Sequence, residues 1–144
     1  MAWSDVWNST ERQEAAKPPL RAFYRMWYRP PIVSAISITN SGLSPDYDKE
    51  VDYLIRMRNT DGKTMTCRRT LAPQATDYGT IDTFFPDIED FLGDNPAAMA
   101  VVESTADLAI VQFTHHRKSG VCSVEHFMAI YTPHQGEFYL PCGS

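Results

Sequence analysis

From residue 32 onward, apolar and polar side chains alternate with a period of two in one short run after another, the pattern of half-buried strands. Residues 32–39 alternate after their first positions and stop at Asn40-Ser41-Gly42. In the next run Val51, Tyr53, Ile55 and Met57 share one face, with Asp52, Arg56 and Arg58 on the other. Asn59-Thr60-Asp61-Gly62 reads as a hairpin turn, because aspartate-glycine accepts the positive backbone angles of a tight reversal. The return run, 63–71, places Met65, Cys67 and Leu71 on a common face before Ala72-Pro73-Gln74-Ala75 turns the chain again. The spacing of Phe84, Phe85, Ile88, Phe91 and Leu92 fits a short helix or turn, opened by Pro86-Asp87 and closed by Gly93. Strands are then expected at 98–104, 108–115 and 121–131, and residues 137–140 add an edge strand. Short strands at this density, divided by turn residues, predict an all-β fold, an antiparallel β-sandwich.

The first 31 residues do not follow that rhythm. Ser4 or Asp5 is placed to cap a short helix running towards Ala16, and Lys17-Pro18-Pro19 ends it. The segment 20–31, LRAFYRMWYRPP, interleaves aromatics with arginines and halts at two prolines, resembling neither a core strand nor a good helix. The chain is therefore divided into an extended, partly helical N-terminal docking arm, 1–31, and a β-sandwich domain, 32–144. Aromatic residues and arginine dominate protein contact surfaces, and aromatics also favour the membrane–water boundary. Trp3, Trp7, Phe23, Tyr24, Trp27 and Tyr28 are expected to enter grooves of a partner, while Arg21, Arg25 and Arg29 pair with carboxylates or lipid headgroups. The competing expectation is that the arm wraps back over the body.

Composition narrows the function classes. A chain of 144 residues, 43% hydrophobic and 22% charged, can bury one core. A net charge of −5 argues against a general nucleic-acid binder, while the basic arm beside an acidic body can orient the chain against an acidic partner or anionic headgroups. The cysteines Cys67, Cys122 and Cys142 are odd in number and form no CxxC pair, so neither structural zinc nor a disulfide framework is expected. The N-terminus lacks the apolar segment of a signal peptide, and no apolar run reaches the roughly 18 residues of a membrane-spanning helix. A cytoplasmic location is expected, with peripheral contact at a membrane as a variant of it.

The strongest chemical candidate is His115, His116 and His126, with Cys122 and Glu125 nearby. With residues 117–120 as the hairpin loop, His115 faces Cys122, Phe113 faces Val124 and Val111 faces His126. That register gathers Ala109, Val111, Phe113, Val124 and Met128 on one apolar face. His115 and His126 then share a face about 13 Å apart, at roughly 3.3 Å per residue, too far for one ion. No metal and no cofactor is expected. His115 with Cys122 could pair a nucleophile with its base, but no orienting group or oxyanion donor accompanies them. The acidic residues Asp82, Asp87, Glu89, Asp90 and Asp94 lack the ligand alternation of a calcium loop; Asp87, Glu89 and Asp90 suit the first turn of a short helix.

The strand ISITNSG, the aspartate-glycine hairpin, TLAP leading to FFPDIEDF, and the pair AVVESTADLAIVQFTHHR and VCSVEHFMAIY occur in an order that resembles the sensory rhodopsin transducer family across residues 36–131. The resemblance implies a cytoplasmic, non-catalytic sandwich that oligomerises and binds a membrane-embedded photoreceptor, and it carries no site residue across. The chain departs from the pattern by its arm and tail. The function expected is a non-catalytic accessory subunit docked through the arm onto a larger protein assembly, membrane-embedded or soluble. The alternatives are a homo-oligomeric transducer or small-ligand module, and an enzyme using His115 and Cys122.

Overall fold

The computed structural model describes residues 20–42, 44–106, 108–125 and 130–131. Among these residues nine strands pair antiparallel: β1 Leu20–Arg29, β2 Ile32–Thr39, β3 Val51–Arg58, β4 Thr64–Leu71, β5 Thr76–Thr80, β6 Ala97–Ser104, β7 Ala109–His116, β8 Cys122–Glu125 and β9 Ile130–Tyr131. Two short helices, α1 (Ile81–Phe84) and α2 (Ile88–Leu92), lie between β5 and β6. The order is β4-β3-β6-β1-β2-β7-β8, with β5 on β2 and β9 on β1.

The strand β1 joins two sections of this sheet. Its residues 20–27 pair with β6, and its last two, Tyr28 and Arg29, pair with Val33 and Ile32 of β2. Ala22, Tyr24 and Met26 point into the core with 1%, 1% and 2% exposure. The expected arm is corrected here: 20–29 is a central strand, and the division at residue 31 falls in the β1–β2 turn at Pro30-Pro31. The remainder of the expected arm, with Trp3, Trp7 and the helix towards Ala16, lies outside the described residues, as does the expected strand at 137–140.

Among the described residues, positions 22–27 of β1 have no strand partner on the edge towards β2. Two buried polar side chains fill the gap. Ser34 Oγ accepts from the Trp27 backbone N–H at 2.8 Å. Gln112 Nε2 donates to the Arg25 carbonyl at 2.8 Å and to Ser34 Oγ at 3.3 Å. Buried backbone groups need partners, so the fork is a place where serine and glutamine belong in a core.

Local chemistry sets the other ends. Asn59 to Lys63 closes the β3–β4 hairpin, with Gly62 alone of that loop at positive φ, +80°. The Asn40 side chain is fully buried; its Nδ2 donates to the carbonyls of Lys49, Ala72 and Leu71, and its Oδ1 accepts from the Tyr47 hydroxyl at 2.7 Å. The Tyr47 ring lies against Gly42, where any side chain would collide with it. Gly93, φ +59°, ends α2, and Glu89 and Asp90 occupy its first turn behind Asp87, as expected.

The main core draws on both sections of the sheet. Tyr24 and Met26 of β1, Ile36 and Ile38 of β2, the Val51, Tyr53, Ile55, Met57 face of β3, Ala100 and Val102 of β6, and Ile81, Phe84 and Ile88 of the helices form one cluster. Alternating burial along β3 and the shared face of Met65, Cys67 and Leu71 on β4 match the period-two reading. Within the expected strand 121–131, the described residues 122–125 (β8) pair with β7 and 130–131 (β9) pair with β1.

Candidate functional site

The face of β2 turned away from Ile36 and Ile38 carries Val33, Ala35 and Ser37, opposite His115, Phe113 and Val111 of β7. On one side β5 sets Tyr78 opposite Ser37. On the other, β8 sets Val124 opposite Phe113 and Cys122 opposite His115. Val33 and Ala35 are fully buried beneath this row, whereas Tyr78 is 64% exposed and Val124 56%. The Tyr78 and Phe113 rings meet edge to face, centroids 6.0 Å apart. Val121, beside the hairpin loop, is 68% exposed. An apolar band thus crosses β5, β7 and β8 on the side opposite the main core.

The β7–β8 register agrees with the sequence-derived one: His115 faces Cys122, Phe113 faces Val124, and the His116 N–H donates to the Val121 carbonyl at 2.8 Å. The orientation of β7 differs. Gln112 is the buried residue, 1% exposed, and the Val111–Phe113 face lies opposite the core cluster. Alternation told the faces apart without telling which was inward, and Gln112 is drawn inward by the β1 carbonyl it serves. His116 lies on the other face from His115 and shares its Nδ1 with the Ser119 N–H and hydroxyl, at 3.2 and 2.9 Å. His126 and His134 lie outside the described residues. Among the described residues no three His, Cys, Asp or Glu side chains converge in the manner of metal ligands. Cys122 is exposed and Cys67 half-buried.

The hairpin is fastened to its neighbours by Arg117. One of its nitrogens donates to both carboxylate oxygens of Asp82, at 2.8 and 2.7 Å, and to the Thr80 hydroxyl at 3.2 Å. Its guanidinium also lies 6.0 Å from the centroid of the Tyr28 ring. Burial alone would raise the Asp82 carboxyl; the hydrogen bonds from Arg117 and Thr80 outweigh it and hold that carboxyl below its ordinary value. In the core, Tyr53 donates to Asp77 at 2.6 Å, and burial followed by that bond raises its phenol far above the usual range.

The aromatic and arginine residues expected to form one docking arm are dispersed. Tyr24 is a core residue, and burial raises its phenol strongly, so its expected place in a partner groove is corrected. Tyr28 is half-buried against the core, and Trp27 is half-buried. Arg25 and Arg29 are exposed, and Arg29 donates to the Asp94 carbonyl at 3.1 Å. Arg21 and Phe23 are placed by their backbone pairing with Glu103 and Val101. Tyr78, at the β5 end of the apolar band, was missed; the single aromatic of a short strand with no alternating partner in 76–80 leaves no signal.

No family model matches the chain, and no curated protein matches it significantly. Among solved structures, the crystal structure of Thermotoga maritima 1070 superposes with a TM-score of 0.53 at 13% identity, covering 76% of this chain and 90% of that one. This chain shares its fold. The Anabaena sensory rhodopsin transducer matches with a TM-score of 0.46 at 16% identity, covering 62% of this chain and 92% of that one. The likeness to that protein suggested by the order of strands and turns is thus present in the structure, at a distance that says nothing of role. No helix among the described residues is long and apolar enough to cross a membrane.

Proposed function

We propose that the protein is a non-catalytic docking module, an accessory subunit of a larger protein assembly. The reading rests on one observation, the apolar band Tyr78–Phe113–Val124 on the side of the sheet away from the core. A domain of this size gains nothing from holding such a band in water, and an aromatic-centred apolar strip is the composition of an interface core. The occupant proposed is an apolar protein surface. This moves the contact from the N-terminal segment to β5, β7 and β8. We further read the two sections of the bent sheet as the layers of a sandwich, which makes the band the outer face of one layer.

The test uses two exposed positions whose replacement leaves the core untouched. Tyr78→Asp combined with Val124→Asp should leave the far-ultraviolet circular dichroism unchanged. In extracts of the source cells, the wild-type chain should migrate in a large assembly and the double variant as a free chain. Purified wild-type protein that self-associates, and loses this association in the double variant, would instead favour the homo-oligomeric module. Vesicle binding lost in the variant would favour a peripheral membrane site. Unaltered migration of the variant within the assembly would overturn the use of this face.

A further inference from the structure

On the face of β1, β6 and β3 that turns away from the core, Arg25, Met99 and Arg58 form one cross-strand row, because Met99 pairs with Arg25 on one side and Arg58 on the other. With strands about 4.8 Å apart, the two arginine Cα atoms lie roughly 10 Å from each other, a span two long side chains can close around one anion. The row opens into a groove of about 340 Å³ lined by both arginines, Thr60, Asn95, Ala97 and Met99. Neither Arg25 nor Arg58 has an ion pair or side-chain hydrogen bond among the described residues, whereas Arg56, one row along, pairs with Glu103 at 3.7 Å.

The surrounding groups complete a donor set. Asn95 uses its Oδ1 to accept from the Ala97 N–H at 3.0 Å, which leaves its Nδ2 as a donor. The Thr60 hydroxyl sits on the hairpin loop, and the Arg58 head lies beside that loop, 3.6 Å from where a side chain at Gly62 would begin. Asp61 and Asp94 adjoin Thr60 and Asn95 in sequence, and neither pairs with Arg25 or Arg58. The floor is apolar, with Met99 52% exposed. Two cations side by side without a counter-charge repel each other in a protein of net charge −5, a cost that a bound dianion removes.

We infer that this groove is a phosphate-monoester site, the guanidinium groups of Arg25 and Arg58 clamping the dianion while Met99 and Ala97 carry the adjoining apolar group. Guanidinium forks match tetrahedral oxyanions in geometry as well as charge. The site stands on different strands from the docking band, so either can fail without the other.

The full chain should be titrated calorimetrically with phenyl phosphate and with inorganic phosphate at about 0.15 M ionic strength. A parallel arm measures sedimentation with phosphatidylcholine vesicles containing phosphatidic acid. Phenyl phosphate is expected to saturate and to bind more tightly than inorganic phosphate. Arg25→Ala and Arg58→Ala should each weaken it about tenfold or more, the loss expected for a hydrogen bond to a charged group. Arg68→Ala, an exposed arginine on β4, should change it less than about twofold, which separates a built site from diffuse charge. Arginine-dependent binding of vesicles without binding of phenyl phosphate would assign the same chemistry to a lipid headgroup. No saturable binding of either probe, or an equal loss in Arg68→Ala, would overturn the inference.

Discussion

The fork at β1 makes a sharp energetic prediction. Ser34 is fully buried, and its Oγ is the partner of the Trp27 N–H and one of two acceptors for Gln112 Nε2. Ser34→Ala removes one oxygen and nearly no volume, so cavity and transfer effects stay small. The cost is that of a backbone donor left without a partner, about 1–3 kcal/mol, and we take about 2 kcal/mol. At roughly 3 °C per kcal/mol for a domain of this length, Tm should fall by about 6 °C. Ser37→Ala is the control: it lies on the same strand, is half-buried, and has no side-chain hydrogen bond among the described residues. It should stay within about 0.5 kcal/mol of wild type. Urea unfolding of both variants measures the difference, and a double-mutant cycle with Gln112→Leu should show coupling of about 0.5 kcal/mol or more. If Ser34→Ala and Ser37→Ala unfold at the same urea concentration, the serine is not what holds the splayed edge of β1.

Two further outcomes follow from the β7–β8 hairpin. Asp82 has its carboxyl held below the ordinary value in the folded protein, so its stabilising contribution is complete above the unfolded value, about 4, and is lost as pH falls through the lower folded value. Asp82→Asn should therefore be less stable than wild type at neutral pH, with the gap closing on acidification; urea midpoints at pH 7 and about pH 2 measure it, and a gap of constant size would refute the pairing with Arg117. Cys122 should alkylate faster than Cys67 from exposure alone, so the rank of the two rates says nothing of catalysis. The discriminating variant is His115→Ala: a non-catalytic protein keeps its Cys122 labelling rate within about twofold, and a loss of about tenfold would revive the nucleophile–base reading.

Much of the body was legible in the chain because its information is local. The faces of β3 and β4, the Gly62 turn, the Gly93 stop and the β7–β8 register each follow from side-chain period or turn chemistry within a few residues. Other features depended on neighbours far away in sequence. Residues 20–29 carry the alternation Ala22, Tyr24, Met26, but arginine and aromatic residues at the intervening positions make both faces amphipathic, so only pairing with β6 and β2 reveals a central strand. Gln112 looks like a surface residue until the Arg25 carbonyl that accepts its Nε2 is placed beside it. The apolar face of β7 resembled a core face for the same reason, since a period of two distinguishes sides but not inside from outside. Arg25 and Arg58, separated by 33 positions, become neighbours only because β6 lies between their strands. Local periodicity and turn residues wrote the elements into the chain; antiparallel pairing across long loops decided which faces are buried and which are left for a partner.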